Sequence, residues 1–138
     1  MGARRHNWLW ISEAIAFAIH DEQLAEHGGA SGIRHLGGFE AAMARPRNKQ
    51  AYGEPDAADL AAAYAFGLSK AHAFVDGNKR IGLAVAGAFL YLNGYRLKAT
   101  QAELAALMWQ VADSQVTEEQ LALALRGWIT TPSVKPQD

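Results

Sequence analysis

The sequence predicts an all-α fold, and three observations carry that prediction. Apolar residues recur at helical spacing through most of the chain, as in Ala57, Leu60, Ala61, Tyr64 and Leu68. Helix-start signatures stand ahead of such runs: Ser12, Asp56, and the capping boxes Thr100 to Glu103 and Thr117 to Gln120. Alternating runs of the kind that make strands are absent, apart from short extended pieces at Trp8 to Ile11 and Tyr95 to Leu97.

Taken in order, a first helix is expected from Ser12 to about Glu26, with Ile15, Ile19 and Leu24 facing inward. The glycines of "HGGASG" end it. A short helix from Gly38 to Arg45 is expected to stop at Pro46, followed by an irregular stretch to Asp56. The helix capped by Asp56 runs up to His72. The next, from about Asn78 to Asn93, reads "IGLAVAGAFLYL" and is apolar nearly all round, which marks a central, buried helix. Asn93-Gly94 stops it. Two capped helices follow, with Leu104, Leu107, Met108 and Val111 inward in one, and Leu121, Ala124, Leu125 and Trp128 in the other. No repeat or composition break divides the 138 residues, so one domain is expected, with an ordered core over about 8–128 and a frayed tail over 130–138.

Composition narrows the function classes. Half the residues are hydrophobic, enough for a real core, and the formal net charge is -1. Such a balance supplies no overall field toward nucleic acid or an anionic membrane, and direct nucleic-acid binding is not expected. There are no cysteines, which removes disulfides and thiolate metal sites. No apolar signal core follows "MGARRHNWLW", and the longest apolar run is shorter than the ~20 residues a bilayer span needs. The expected location is the cytoplasm, in soluble form.

One stretch concentrates chemistry: His72 to Arg80, "HAFVDGNKR". Gly77-Asn78 opens the buried helix, whose first turn presents free N–H groups and the positive end of the helix dipole. Glycine lets backbone approach a ligand, and the N–H groups make an anion site. Arg80 adds a bidentate grip for phosphate oxygens. Asp76 is placed to hold Mg²⁺ against the same phosphates. His72, closing the preceding helix, is placed to take a proton from an attacking hydroxyl. Phe74 is expected to point into the core and pin the loop. Each residue alone has a structural reading: a capping His, an Asp-Gly turn, a solvated Asn-Lys-Arg helix start. Together they favour phosphate chemistry, because a turn has no need of a base, a carboxylate, an anion nest and two cations.

"HAFVDGNKR" closely resembles the Fic/Doc signature His-x-Phe-x-(Asp/Glu)-Gly-Asn-(Gly/Lys)-Arg, and Lys79 gives it the form of the Doc branch. The likeness extends through "AIHDEQLAEHGGASGIR", "AMARPRN" and "AYGEPDAADLAAAYAFGLSKAHAFVDGNKRIGLAVAGAFLYLNGY", covering roughly Trp8 to Trp128. The resemblance implies a Fic/Doc-type helical domain and the toxin of a bacterial toxin–antitoxin pair. It implies an enzyme that uses ATP and Mg²⁺ to phosphorylate a threonine of elongation factor Tu, blocking translation. The separate partner it implies is a Phd-like antitoxin. Fic proteins with a glycine at the position of Lys79 transfer AMP; the bulky cation would favour a reversed nucleotide with its γ-phosphate toward the histidine.

By the same resemblance His72 would be the base and Asp76 would support the metal or the histidine. Gly77 and Asn78 would form the phosphate nest, with the Asn amide adding a hydrogen bond. Lys79 and Arg80 would neutralise charge, and Lys70 would be a further cation for the nucleotide. Gly77 itself matches the Fic pattern, so AMP transfer to another protein hydroxyl is the alternative. A non-catalytic antitoxin-binding regulator is a third reading.

The remaining features have mostly structural readings. Arg45-Pro46-Arg47-Asn48-Lys49 reads as an exposed loop, or as a flap over the site. Trp8, Trp10, Trp109 and Trp128 read as packing residues, and His20, His27 and His35 are spread over different elements. Ser114 to Glu119 comes near the Fic inhibitory pattern, but capping accounts better for Thr117.

Overall fold

The computed structural model describes residues 7–131. The chain runs α1 (Glu13–His27), α2 (Leu36–Ala51), α3 (Ala57–Ala71), α4 (Asn78–Leu92), β1 (Arg96–Leu97), α5 (Gln101–Ala112), α6 (Glu118–Trp128) and β2 (Ile129–Thr130). The fold is all-α. Among the described residues one small sheet pairs β1 with β2 antiparallel, Arg96 opposite Thr130 and Leu97 opposite Ile129. So the extended piece expected at Tyr95 to Leu97 holds the strand Arg96–Leu97, and Thr130, expected in a frayed tail, is paired. Residues 132–138 of that tail lie outside the described residues.

The caps fall where the sequence places them. Ser12 accepts from the Ile15 N–H, and Asp56, Thr100 and Thr117 each form a reciprocal capping box with the residue three further on. Helix α3 is the axis of the molecule, touching α2, α4, α5 and α6. Its tightest partner is α4, because Gly82 lets the backbones meet: a Cβ there would lie 2.7 Å from the Ala65 carbonyl oxygen. Leu60, Tyr64, Leu68, Ile81, Val85 and Phe89 fill the seam between them. The segment before α1 is no strand. It is tied down by side chains: the Ile11 N–H donates to the Tyr64 hydroxyl at 3.0 Å, and Asn93 bonds the Leu9 backbone in both directions. Burial of that phenol pushes its pKa up.

Three expectations are corrected. Ile15 faces solvent, 47% exposed, and the inward face of α1 is instead built on Ala16 and His20, with Phe17, Ile19 and Leu24 half-buried. Pro46 does not stop α2, which continues to Ala51. The proline forfeits one N–H, but its ring is buried in the core, and Arg45 and Lys49 on either side of it both bind Glu118 of α6. The stretch read as an exposed loop, or as a flap, is therefore helical. Finally, α4 is apolar on two faces for two reasons: Ile81, Val85 and Phe89 are core, whereas Leu83, Ala84 and Gly87 line a cavity.

Candidate functional site

The loop between α3 and α4 is fixed from three directions. His72 is the C-cap of α3 and takes the left-handed conformation (φ 48°), a helix ending that His tolerates better than most side chains. The next carbonyl, of Ala73, accepts from the N–H groups of Arg34 (2.6 Å) and His35 (3.2 Å), and the Val75 N–H donates to the Gly32 carbonyl at 3.0 Å. The glycine-rich segment after α1 thus pairs with the loop through a single Ile33–Phe74 bridge. Phe74 is buried as expected, edge-on to Phe17 and Phe39.

Within the loop, the Asn78 carboxamide turns back on Phe74, accepting from its N–H and donating to its carbonyl, both at 3.0 Å. The amide therefore closes the loop on itself rather than standing free toward a ligand. Asp76 directs one carboxylate oxygen to the Ala30 N–H at 2.8 Å. Its backbone carbonyl accepts from Nε2 of His20 at 2.8 Å. His20 is a site residue that sequence reasoning missed. Its signal lay in the helical pattern, since an inward face at Ala16 and His20 carries an imidazole into the core.

Gly77 then turns the chain at φ 80°, the left-handed region that favours glycine, and α4 begins without a side-chain cap. The first N–H to bond back is that of Ile81, to the Gly77 carbonyl at 2.9 Å. The N–H groups of residues 78–80 stand at the positive end of a central helix, an arrangement suited to an anion.

This helix start opens on a cavity of about 1160 Å³. Asp76, Gly77, Asn78, Lys79 and Arg80 form its polar end, and Leu83, Ala84 and Gly87 of α4 with Leu104, Met108 and Trp109 of α5 form its apolar wall. Arg80 is exposed and forms no ion pair among the described residues. Lys79 rests its ammonium 4.0 Å above the centre of the Trp109 ring. Trp109 is 64% exposed, so it is a cavity-wall residue rather than the packing residue expected of it. Trp8, by contrast, is buried against Phe89.

The structure brings Asp76 through Arg80 together and sets two other candidates apart. His72 is exposed at the end of α3 and is not among the cavity's lining residues. Lys70 does not reach the loop. Its ammonium donates to the Ser114 hydroxyl and the Val111 carbonyl at the end of α5, in a second, open cavity on another side of α3. The carbonyl end of a helix attracts a cation, and that attraction fixes its direction. Arg45 and Arg47 are helical, the first bound to Glu118 and the second set 5.6 Å from the Trp10 ring centre. Glu118 is 6% exposed and held by Arg45 and Lys49, while Thr117 forms its capping box, so Ser114 to Glu119 works as a helix start.

Among the described residues no group of three or more His, Asp or Glu is arranged to hold a metal by itself. Asp76 offers a carboxylate beside the helix start, and Glu26 of α1 also lines the cavity. A single carboxylate is the protein contribution that suits Mg²⁺ carried in with phosphates, since that ion keeps several waters and takes few protein ligands.

Fold and site define an all-α protein built around a six-residue loop that feeds a central helix. The chain belongs to the Fic/Doc family: the model of the Fic/DOC family matches residues 10–90. Within that family it sits in the Doc branch. It is 32% identical over 117 residues to a protein named "Protein kinase doc" of Escherichia phage P1, spanning 84% of this chain and 92% of that one. It is 39% identical over 108 residues to "Toxin Doc" of Mycolicibacterium smegmatis, spanning 73% of this chain and 81% of that one.

Proposed function

We propose that the chain is the toxin of a bacterial toxin–antitoxin pair and acts as a protein kinase, moving the γ-phosphate of ATP to a threonine of elongation factor Tu. The observation that carries this reading is the uncapped, glycine-opened start of α4, which faces a cavity together with Asp76, Lys79 and Arg80. The names of the two relatives, a kinase and a toxin, support it.

In this reading the N–H groups of residues 78–80 and the Arg80 guanidinium bind the triphosphate. The apolar wall made by Leu83, Ala84 and Met108 takes the rest of the nucleotide. Asp76 would hold Mg²⁺, which when bound neutralises phosphate charge. His72, exposed at the end of α3, accepts the proton of the incoming hydroxyl. The hydroxyl oxygen forms its bond to the γ-phosphorus, the bond from that phosphorus to the bridging oxygen breaks, and ADP leaves with the electron pair. Arg80, and Lys79 once it leaves Trp109, balance the charge that spreads over the transferring group, where positioning and electrostatics supply most of the rate. Asn78 and Phe74 hold the loop. A Phd-like antitoxin is the proposed partner, and the cytoplasm the proposed location; no helix among the described residues is long and apolar enough to cross a membrane.

AMP transfer to another protein hydroxyl is kept as a second reading by one observation. Lys79 leans on α5 rather than over the helix start, which leaves the nest at Gly77 open. Expression in bacteria tests the enzyme reading as a whole. Growth arrest that His72→Ala relieves is the expected result, and arrest indifferent to that change would mean that the chain acts by binding alone.

A further inference from the structure

We propose that His20 is the positioning residue of the phosphate loop. It is 2% exposed, and its ring is stacked on Phe74 with 3.8 Å between centres and 22° between planes. Its Nε2 lies 2.8 Å from the Asp76 carbonyl oxygen. A carbonyl only accepts, so Nε2 carries the proton and donates it. That carbonyl belongs to the peptide leading into Gly77, whose φ of 80° aims the first N–H groups of α4 at the cavity. The two are close: a Cβ on Gly77 would lie 3.6 Å from Nε2. One buried side chain on α1 thus holds both ends of the segment that must be rigid, the aromatic anchor at Phe74 and the peptide before Gly77.

The alternatives available to the loop explain why a held carbonyl matters. Asn78 closes Phe74 to the helix start, and Asp76 reaches out to Ala30, but neither bond constrains the Asp76–Gly77 peptide itself. Glycine at Gly77 has wide freedom, and a left-handed turn there persists only if its neighbours fix it. Without a donor from His20, the Asp76 carbonyl would lose its partner at a part-buried site, a cost that the loop relieves by rotating the peptide. Rotation would take the N–H groups of residues 78–80 off the cavity axis while leaving the helices in place.

The inference rests on the nucleotide reading for its effect on ATP, but not for its effect on the loop. His20→Phe keeps the ring on Phe74 and removes the donor; His20→Gln keeps a donor at similar reach and removes the ring. For each, Mg-ATP affinity is measured by calorimetry and amide hydrogen exchange is followed over the whole chain. His20→Phe is expected to weaken Mg-ATP by roughly 10-fold, as the loss of one part-buried hydrogen bond allows. It should speed exchange in 74–81 while α2, α5 and α6 are unchanged. His20→Gln is expected to restore most of the affinity and of the protection. Exchange in 74–81 equal to the parent's in His20→Phe, or raised equally across all helices, would overturn the proposal. Should the parent protein itself fail to bind Mg-ATP, the nucleotide reading falls, and the exchange comparison still decides the role of His20.

Discussion

Two charged regions flank α3, and they are organised in opposite ways. On one side four cations meet acceptors: Arg45 and Lys49 close on Glu118, Arg126 binds Asp56 and Asp59, and Lys70 binds Ser114. On the other side Arg80 stays exposed without an ion pair among the described residues, Lys79 rests on an aromatic face, and the start of α4 lacks a cap. Paired charges hold helices in register, as Glu118 holds α6 to α2 across Pro46. Unanswered charges at a helix start, beside a cavity, wait for an anion. The contrast separates cations that serve the fold from cations to which the proposed function gives the chemistry, a distinction that residue type alone does not make.

The sharpest way to break the contrast is at the loop. His72→Ala is expected to cut phosphoryl transfer by about 10²–10⁴-fold, the range for loss of a positioned base, with Mg-ATP affinity little changed. Transfer at the parent rate would remove His72 from the chemistry. Gly77→Ala should follow, because φ 80° is strained for any residue with a Cβ; weakening of Mg-ATP by about 10-fold is expected, read by calorimetry. On the paired side, Glu118→Ala should act on stability alone. It leaves two cations facing each other and is expected to cost about 1–3 kcal/mol in denaturant unfolding, with Mg-ATP affinity held. A large loss of affinity there would erase the distinction between the two sides.

Smaller effects sharpen it further. Trp109→Ala releases Lys79 from a contact of about 0.5–1 kcal/mol, so a change of a few-fold in Mg-ATP affinity is expected, seen by titration. The smallest concerns acid. The Arg126 hydrogen bond holds the Asp56 carboxyl at about 2, below its ordinary 3.8. A carboxyl lowered in the folded state contributes stability that is present above its unfolded pKa and lost as pH falls through the folded one. The melting temperature should therefore drop between about pH 4 and pH 2, and Asp56→Asn, which keeps a capping side chain, should flatten part of that drop. The pair is well exposed, so the change is small.

Much of this was legible in the sequence where a residue's local chemistry decides its place. Ser12, Asp56, Thr100 and Thr117 start helices because their oxygens answer backbone N–H groups within three residues. The stretch from His72 to Arg80 was legible for the same reason, since its unusual residue mix is contiguous. What escaped depends on contacts distant in sequence. Pro46 reads as a stop until Glu118, over seventy positions away, is seen to brace the turn around it. His20 reads as one scattered histidine until the fold lays it on Phe74. Lys70 and Lys79 are equivalent cations on paper, and only the positions of Ser114 and Trp109 tell them apart. The apolar second face of α4 reads as core because composition does not separate a packed wall from a cavity wall.

In the proposed function the α4 helix start and its loop present the γ-phosphate of ATP to a protein hydroxyl. The most direct test incubates the purified protein with Mg²⁺, elongation factor Tu and ATP labelled at either the α- or the γ-phosphorus, with His72→Ala as control. Label on elongation factor Tu from the γ-position alone, absent with His72→Ala, is the result expected of the proposed kinase. Label from the α-position alone would contradict it and assign AMP transfer to the same loop.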